Sequence, residues 1–329
     1  MSEPIGSARA VACSNIALAK YWGKLDVERN LPAVPSLSLT LAGMQTRTRV
    51  TFHAGAGADR GTLDGAPLTD RPLARVTALL DRVRARATLT GWAEIETTND
   101  FPTAAGLASS ASGFAALALA ASRAAGLELP LEEVSALARA SSASAARSLF
   151  GGFAALAAGA DRAERVAPPD YFPLVMLVAV TQRGQKPVGS TEGMQLTAQT
   201  SPYYPAWLDR APSLFETARR AVLARDLPAL GAAMEQSTLM MHASMLAASP
   251  AVIYFAPATL AVIERVQRLR AGGARAWFTM DAGPHVKVLV EPDRADDVAA
   301  ELEAVSGVQR LIRCAPGPDA ALVEEGAAW

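Results

Sequence analysis

Pro102-Thr-Ala-Ala-Gly106-Leu-Ala-Ser109-Ser110-Ala111 lies between a strand-like run and a helix-like run, and its reading sets the fold of the whole chain. Small side chains let the backbone come close to an anion. A helix that starts here presents unpaired N–H groups and the positive end of its dipole to that anion. The two serine hydroxyls add donors or a contact to magnesium. The stretch lacks G-x-x-x-x-G-K-[ST] and is therefore not a Walker A loop. A tight turn with a serine cap has the same composition, so the segment needs support from elsewhere in the chain.

Upstream of it, Thr48–His53 and Ala93–Thr97 read as strands, and Leu63–Pro67 as a turn centred on Asp64-Gly65. Leu73, Val76, Leu79, Leu80 and Val83 recur at helical spacing between them. Downstream, a small-residue helix runs to about Ala125, and a second helix covers Leu131–Ala140 after Pro130. Leu174–Val180 is a continuous apolar run of strand length. Helical patterns then cover Pro212–Arg225, Leu227–Leu246 and Pro257–Ala271. Strands at Arg275–Asp281 and Val286–Glu291, a helix at Ala295–Val305 and a short strand at Val308–Ile312 complete the pattern. Helices and strands interleave without a strict βαβ repeat, which predicts an α+β fold in two subdomains. Their boundary is expected in the polar stretch Thr181–Thr191.

Bulk properties narrow the function. Half of the 329 residues are hydrophobic, 19% are charged and the formal net charge is −1. This fits a soluble globular chain with a real core and gives no global field to attract nucleic acid or an anionic membrane. A highly anionic ligand would need locally concentrated cations. Cys13 and Cys314, the two cysteines, have no C-x-x-C spacing, so neither a disulfide framework nor a zinc site is expected, and a reducing cytoplasm is the simplest setting. The histidines, His53, His242 and His285, show no metal-ligand pattern. Met1–Ala10 lacks the plan of a signal peptide, and the alanine-rich run Ala104–Ala121 is broken by glycines and serines, as in a loop feeding a buried helix rather than a membrane span.

Four further segments carry chemistry. In Asn15-Ile-Ala-Leu-Ala-Lys20-Tyr21-Trp22-Gly23-Lys24, an alternating strand ends in two lysines and a tyrosine. Ser141-Ser142-Ala-Ser144-Ala-Ala-Arg147-Ser148-Leu-Phe-Gly151-Gly152 sets hydroxyls and an arginine among small neighbours, as a phosphate cradle would. Lys186-Pro-Val-Gly189-Ser190-Thr191-Glu192-Gly193-Met194 places hydroxyls at the expected domain junction, where clefts form. Trp277-Phe-Thr-Met-Asp281-Ala-Gly283-Pro284 puts an acid at the end of an apolar strand, which is costly unless the acid is exposed or paired. Taken singly, these are also a strand end, a helix cap, a polar linker and a turn. The cluster Gly55-Ala-Gly57-Ala-Asp-Arg-Gly61 misses dinucleotide spacing and reads as a hairpin loop. His242, within a methionine-rich helix, reads as a core or helix-face residue rather than a catalytic one, and the arginines of the helix Arg71–Arg86 as a solvated face.

Together and in this order, the five segments resemble the diphosphomevalonate decarboxylases of the GHMP kinase superfamily. N-I-A-x-x-K-Y-W-G-K, N-D-F-P-T-A-A-G-L-A-S-S-A and M-D-A-G-P carry the resemblance, supported by S-x-S-x-x-R-S-L-F-G-G and S-T-x-G-M-Q-L-T, over about Ser14 to Val290. The resemblance implies a two-lobed GHMP-kinase-like fold, with an N-terminal nucleotide-binding domain over 1–185 and a C-terminal α/β-sandwich domain over 186–329. It implies an active site in the cleft between the lobes, ATP and Mg2+, a phosphorylated mevalonate as substrate, and a homodimer. Pro102, Ala104, Ala105, Gly106, Leu107, Ala108, Ser109 and Ser110 match the nucleotide-phosphate loop. Tyr21, Lys24, Ser142, Ser144, Arg147, Ser190 and Thr191 match positions that hold the substrate's phosphates and carboxylate. Lys20 matches a lysine beside the reacting centre, and Asp281 the catalytic aspartate. Pro32-Ala-Val34-Pro35-Ser36, Gly189 and Ser141-Ser142-Ala143 depart from the family pattern. A decarboxylase of mevalonate 5-phosphate and a relative that phosphorylates the 3-hydroxyl without decarboxylating therefore stay open. A catalytically silent nucleotide-binding protein on this fold is the alternative of a different class, which loss of Asp281 or of the serine loop would favour, and both are present.

Overall fold

Alternation of buried and half-exposed residues along Met44–His53 continues a fully buried run begun at Ser36, and the two make one long strand. The computed structural model describes residues 4–101, 109–181 and 188–324. In chain order, β1 (Pro4–Ala19), β2 (Lys24–Asp26), β3 (Leu31–Pro32), β4 (Ser36–His53), β5 (Arg60–Leu63) and β6 (Ala66–Pro67) lead to α1 (Asp70–Ala87), β7 (Trp92–Asn99), α2 (Ser109–Ala124), α3 (Leu131–Ser141), β8 (Phe153–Leu156) and β9 (Glu164–Ala167). There follow β10 (Val175–Val180), α4 (Ser190–Thr200), α5 (Tyr204–Ala224), α6 (Leu227–Leu246), α7 (Pro257–Ala271), β11 (Ala276–Met280), β12 (Val286–Val290), α8 (Ala295–Glu303), β13 (Arg310–Cys314) and β14 (Ala321–Val323).

Two main sheets organise these elements, with β2 and β3 forming a separate two-stranded pair, which makes the fold α+β and two-lobed as expected. The first runs β14-β1-β4-β7-β5-β6, with β8 and β9 branching from β4; the second runs β11-β12-β10-β13. β10 thus pairs within the second sheet although it precedes residue 186, and β14 returns to the first. The alanines of α2 allow close approach to the first sheet, and α1 adds Val76, Leu79, Leu80 and Val83 to the same core. A second core lies between the lobes, where Ile16 and Leu18 of β1 and Leu37 and Leu39 of β4 meet Met176, Val178 and Leu289 of the second sheet. The opposite face of the second sheet packs Val286, Val288 and Val290 against α7 and α8. None of the described helices is long and apolar enough to cross a membrane.

Candidate active site

The apolar strand β1 delivers its chemistry through two irregularities. Its pairing with β4 breaks between Cys13 and Asn15, and again between Ala17 and Ala19. Breaks of this kind re-aim side chains. The first leaves Asn15 facing the turn after α3, and the second leaves Lys20 at the point where the strand meets the second lobe. Lys20 is buried; its backbone N–H donates to Ser237 Oγ at 2.9 Å, and its Nζ donates to Ala17 O at 2.8 Å and to Asp281 Oδ1 at 2.6 Å. Trp207 Nε1 of α5 donates to Trp22 O at 2.8 Å and fixes the chain beyond it. Gly23 then turns with φ +112°, where a Cβ would come within 2.0 Å of the Tyr204 hydroxyl, so only glycine brings Lys24 to the cleft along this path.

Asp281 follows β11 and is reached from the first lobe by Lys20 and from the neighbouring strand by Lys287. Its Oδ2 lies 3.2 Å from Lys287 Nζ, close enough for an ion pair but off the line of a hydrogen bond, and 27% of the side chain is exposed to the cleft. Burial pushes the carboxyl up, but the ammonium groups of Lys20 and Lys287 outweigh it and hold Asp281 well below the usual carboxylate range. Burial draws Lys20 down to about 8, partly offset by the charge of Asp281. Lys287 was missed by sequence reasoning. Its signal is a lysine alone within the apolar run Val286-Lys-Val-Leu-Val290.

Arg147 opens a short 3-10 turn after α3 and is buried. It donates from Nε to Ser38 Oγ at 3.0 Å and from Nη1 to Ser36 Oγ at 2.6 Å, two residues that share one face of β4, and from Nη2 to Asn15 Oδ1 at 3.4 Å. Asn15 in turn donates to Ser144 O at 2.9 Å and Ser148 Oγ at 2.7 Å. All these partners are neutral, so the guanidinium keeps its full charge for the cleft. Burial pulls it down to about 10, with the charge of Asp281 opposing the change.

The side chains converge on one cleft of about 860 Å³. Asp281, Lys20 and Arg147 line it, as do Tyr21, Lys24, Ser142, Ser144, Ser190, Thr191, Ser109 and Ser110. Two helix N-termini therefore face it, α2 with Ser109 and Ser110 and α4 with Ser190 and Thr191. Pro102, Ala104, Ala105, Gly106, Leu107 and Ala108 lie outside the described residues. The Tyr21 hydroxyl is buried and makes no hydrogen bond among the described residues, while burial pushes its phenol up. Ser142 and Ser144 share a hydrogen bond of 3.0 Å. Among the described residues no group of three or more His, Cys, Asp and Glu is placed to hold a metal.

One expectation is corrected. Arg71 and Arg75 of α1 are exposed but not simply solvated: both line the cleft, Arg75 stacking over Phe114 at 4.6 Å and donating to Ser141 O at 3.0 Å. Lys24 is lowered by partial burial and by the charges of these two arginines. Helical periodicity gave their face but not what packs beside it. His242 is buried against Tyr254 and Phe255, as expected of a core residue. Of the departures from the family pattern, Val34 is fully buried beside Trp22 rather than on the cleft wall, whereas Gly189 lines the cleft with open space where a side chain would stand.

The chain matches the profile of the diphosphomevalonate decarboxylase-like N-terminal domain over residues 12–167 and that of the mevalonate 5-diphosphate decarboxylase C-terminal domain over residues 176–316. It is 32% identical to a diphosphomevalonate decarboxylase of Candida albicans, over 95% of this chain and 96% of that protein. Among solved structures it is similar to MDDEF in complex with MVAPP, AMPPCP and magnesium, with 41% identity, a TM-score of 0.90 and coverage of 97% and 99% of the two chains. It is also similar to the mevalonate diphosphate decarboxylase of Staphylococcus aureus, with 37% identity, a TM-score of 0.92 and coverage of 97% and 98%.

Proposed function

The chain belongs to the diphosphomevalonate decarboxylase family, and we propose from that premise that it converts mevalonate 5-diphosphate and ATP into isopentenyl diphosphate, ADP, phosphate and carbon dioxide. The observation that carries the reading is the Asp281–Lys20 ion pair of 2.6 Å on the wall of a cleft that also gathers cations, hydroxyls and two helix N-termini. A protein with net charge −1 has gathered Lys20, Lys24, Arg71, Arg75 and Arg147 there. Such a site suits a ligand pair rich in phosphate and carboxylate.

The chemistry follows from the charges. The 3-hydroxyl oxygen attacks the γ-phosphorus of ATP, its proton passes to Asp281, and ADP leaves. An acidic carboxylate is a weak base, but phosphoryl transfer through a loose transition state asks mainly for alignment and charge stabilisation. The hydroxyl becomes strongly acidic only as the new O–P bond forms, so Asp281 need only orient it and accept the proton late. The C–O bond at the tertiary carbon then breaks, its electron pair leaving with phosphate. The electrons of the neighbouring C–CO₂⁻ bond form the alkene, and carbon dioxide departs. Lys20 and Arg147 answer the charge on the transferring group, and Tyr21, Lys24, Ser142, Ser144, Ser190 and Thr191 hold the substrate. Ser109 and Ser110 open α2 toward the nucleotide phosphates, and their hard hydroxyl oxygens fit magnesium, which keeps few protein ligands and binds mainly through phosphates. When bound, magnesium neutralises phosphate charge. The homodimer that the resemblance implies and the cytoplasmic setting expected from the cysteines belong to the same reading, as do the two domains over 1–185 and 186–329, with β10 and β14 each pairing into the other lobe's sheet.

A coupled assay of ADP and carbon dioxide release across mevalonate, its 5-phosphate and its 5-diphosphate tests the reaction. Both products are expected, in equal amounts, with the 5-diphosphate as the best substrate. Turnover of the 5-phosphate in preference would transfer the assignment to that substrate. ADP without carbon dioxide would mark a 3-kinase, and nucleotide binding without either product a silent protein.

The lowered Lys20 also predicts an alkaline limb. Its proton is present below about pH 8 and lost above it, which removes the positive charge beside Asp281, so kcat/KM is expected to fall as pH rises through that value. In Lys20→Arg the guanidinium stays charged, and the limb should move to higher pH. An identical limb in that variant excludes Lys20 as its source.

A further inference from the structure

The mechanism above leaves one buried cation beside the reacting carboxylate without a task. Lys287 is fully buried on β12, a strand flanked by β11 and β10. Strand alternation puts Val286, Val288 and Val290 in the core beneath α7 and α8 and turns Lys287 to the opposite face, paired in register with Thr279. An ammonium in the middle of a sheet is costly unless compensated. Its Nζ donates to His285 O at 3.4 Å and lies 3.2 Å from Asp281 Oδ2, while Lys20 holds Oδ1 at 2.6 Å. One carboxylate is thus held on both oxygens by lysines from different lobes. An apolar side chain of equal length would fill the same space. Beyond its long hydrogen bond to His285 O, what the ammonium adds is charge at Asp281.

We propose that Lys287 is a positioning residue that acts through Asp281: with Lys20 it grips the carboxylate from both sides, fixes its orientation toward the cleft and keeps it ionised until the hydroxyl proton arrives. The proposal rests on Asp281 being the proton acceptor of the reaction proposed above. The groups facing Asp281 are Lys20 from the end of β1, Lys287 from β12 and, at longer range, Arg147 from the turn after α3. His242 on α6 senses Asp281 and both lysines, but burial draws it down to about 3, so it stays neutral at working pH. The charges that set the carboxylate are therefore the two lysines and the arginine.

The test uses the full chain with Lys287→Met and Lys287→Gln, each read by kinetics and by ¹³C NMR titration of the Asp281 carboxyl. Turnover is expected to fall about 10- to 100-fold, the scale of misplacing a reacting group by an ångström, with KM values little changed. The carboxyl titration should move up by about 1 pH unit or more once one neighbouring cation is gone. The double variant D281N/K287M should be no slower than D281N alone, because Lys287 then has nothing to act through. An unmoved titration, a loss confined to KM, or additive losses in the double variant would overturn the proposal. If K287M, K287Q and D281N/K287M all fail to fold, Lys287 is purely structural and the proposal also falls. If the wild-type protein turns over no mevalonate derivative, the reaction assignment fails, while the carboxyl titration still decides whether Lys287 controls Asp281.

Discussion

Asp281→Asn is expected to lower kcat by about 10²–10⁴-fold, the usual contribution of a positioned acid or base, while substrate and nucleotide still bind. The amide keeps the shape of the carboxylate but cannot take a proton. It also leaves Lys20 and Lys287, both buried, facing a neutral partner. Two consequences separate this from simple damage. Removing one partner of a buried ion pair costs on the order of 3–5 kcal/mol, so the variant should melt earlier. The cleft, with one negative charge fewer, should hold anionic ligands at least as tightly as before. Calorimetric binding together with a single-turnover measurement checks both, and near-normal turnover in a folded variant rejects the role given to Asp281.

Arg147→Lys should be nearly as damaging although it conserves charge. The guanidinium serves Ser36, Ser38 and Asn15 simultaneously from fixed positions. One ammonium cannot reach all three and also face the cleft. Hydrogen bonds to charged groups contribute about 1.5–3 kcal/mol each, so a displaced fork that loses one or two of them to the ligand predicts a fall in kcat/KM of roughly 10- to 10⁴-fold. Since the serines lie on β4 and Asn15 on β1, the variant should also lose stability, measurable as a lower denaturant midpoint. Wild-type kcat/KM in this variant would show that the fork has no part in ligand handling.

Much of the fold was legible because its periodicities are regular. α6 and α7 span the stretches expected from their patterns, Leu227–Leu246 and Pro257–Ala271, and Asp64-Gly65 forms the hairpin turn between β5 and β6 with both residues at positive φ. The failures have physical causes. β4 was visible only from Thr48 because Ser36, Ser38, Thr40 and Thr46 are polar yet buried, hiding the alternation. α5 was expected to start at Pro212, a strong first-turn signal, but it begins at Tyr204 because Trp207 and Ala211 also bury against the core. α4 reads as a polar linker from composition, and its helix is fixed instead by burial of Gly193, Met194 and Thr197.

The site shows the same division. Lys20, Arg147 and Asp281 stood out because charged residues ended or interrupted apolar and small-residue runs, and all three line the cleft. Lys287 and the pair Arg71 and Arg75 did not. Their partners lie off the local pattern, Asp281 across a turn from Lys287 and Phe114 and Ser141 on helices distant in sequence from α1. Local pattern carries no information about such neighbours.

The return of β14 to the first sheet bears on how the protein is made. Arg9, Ala10 and Val11 of β1 pair with Val323, Leu322 and Ala321, and Gly151 and Arg165 bind the Asp319 carboxylate just before that strand. On a ribosome, β1 emerges first and its edge partner only after the whole second sheet. Throughout synthesis the early lobe therefore carries an unpaired strand edge, which invites wrong partners. Closing that seam demands contacts of very long sequence separation, the slowest kind to form. Assembly of the first lobe is thereby tied to completion of the second, and a nascent chain cannot hold a finished first lobe before β11 and β12 exist.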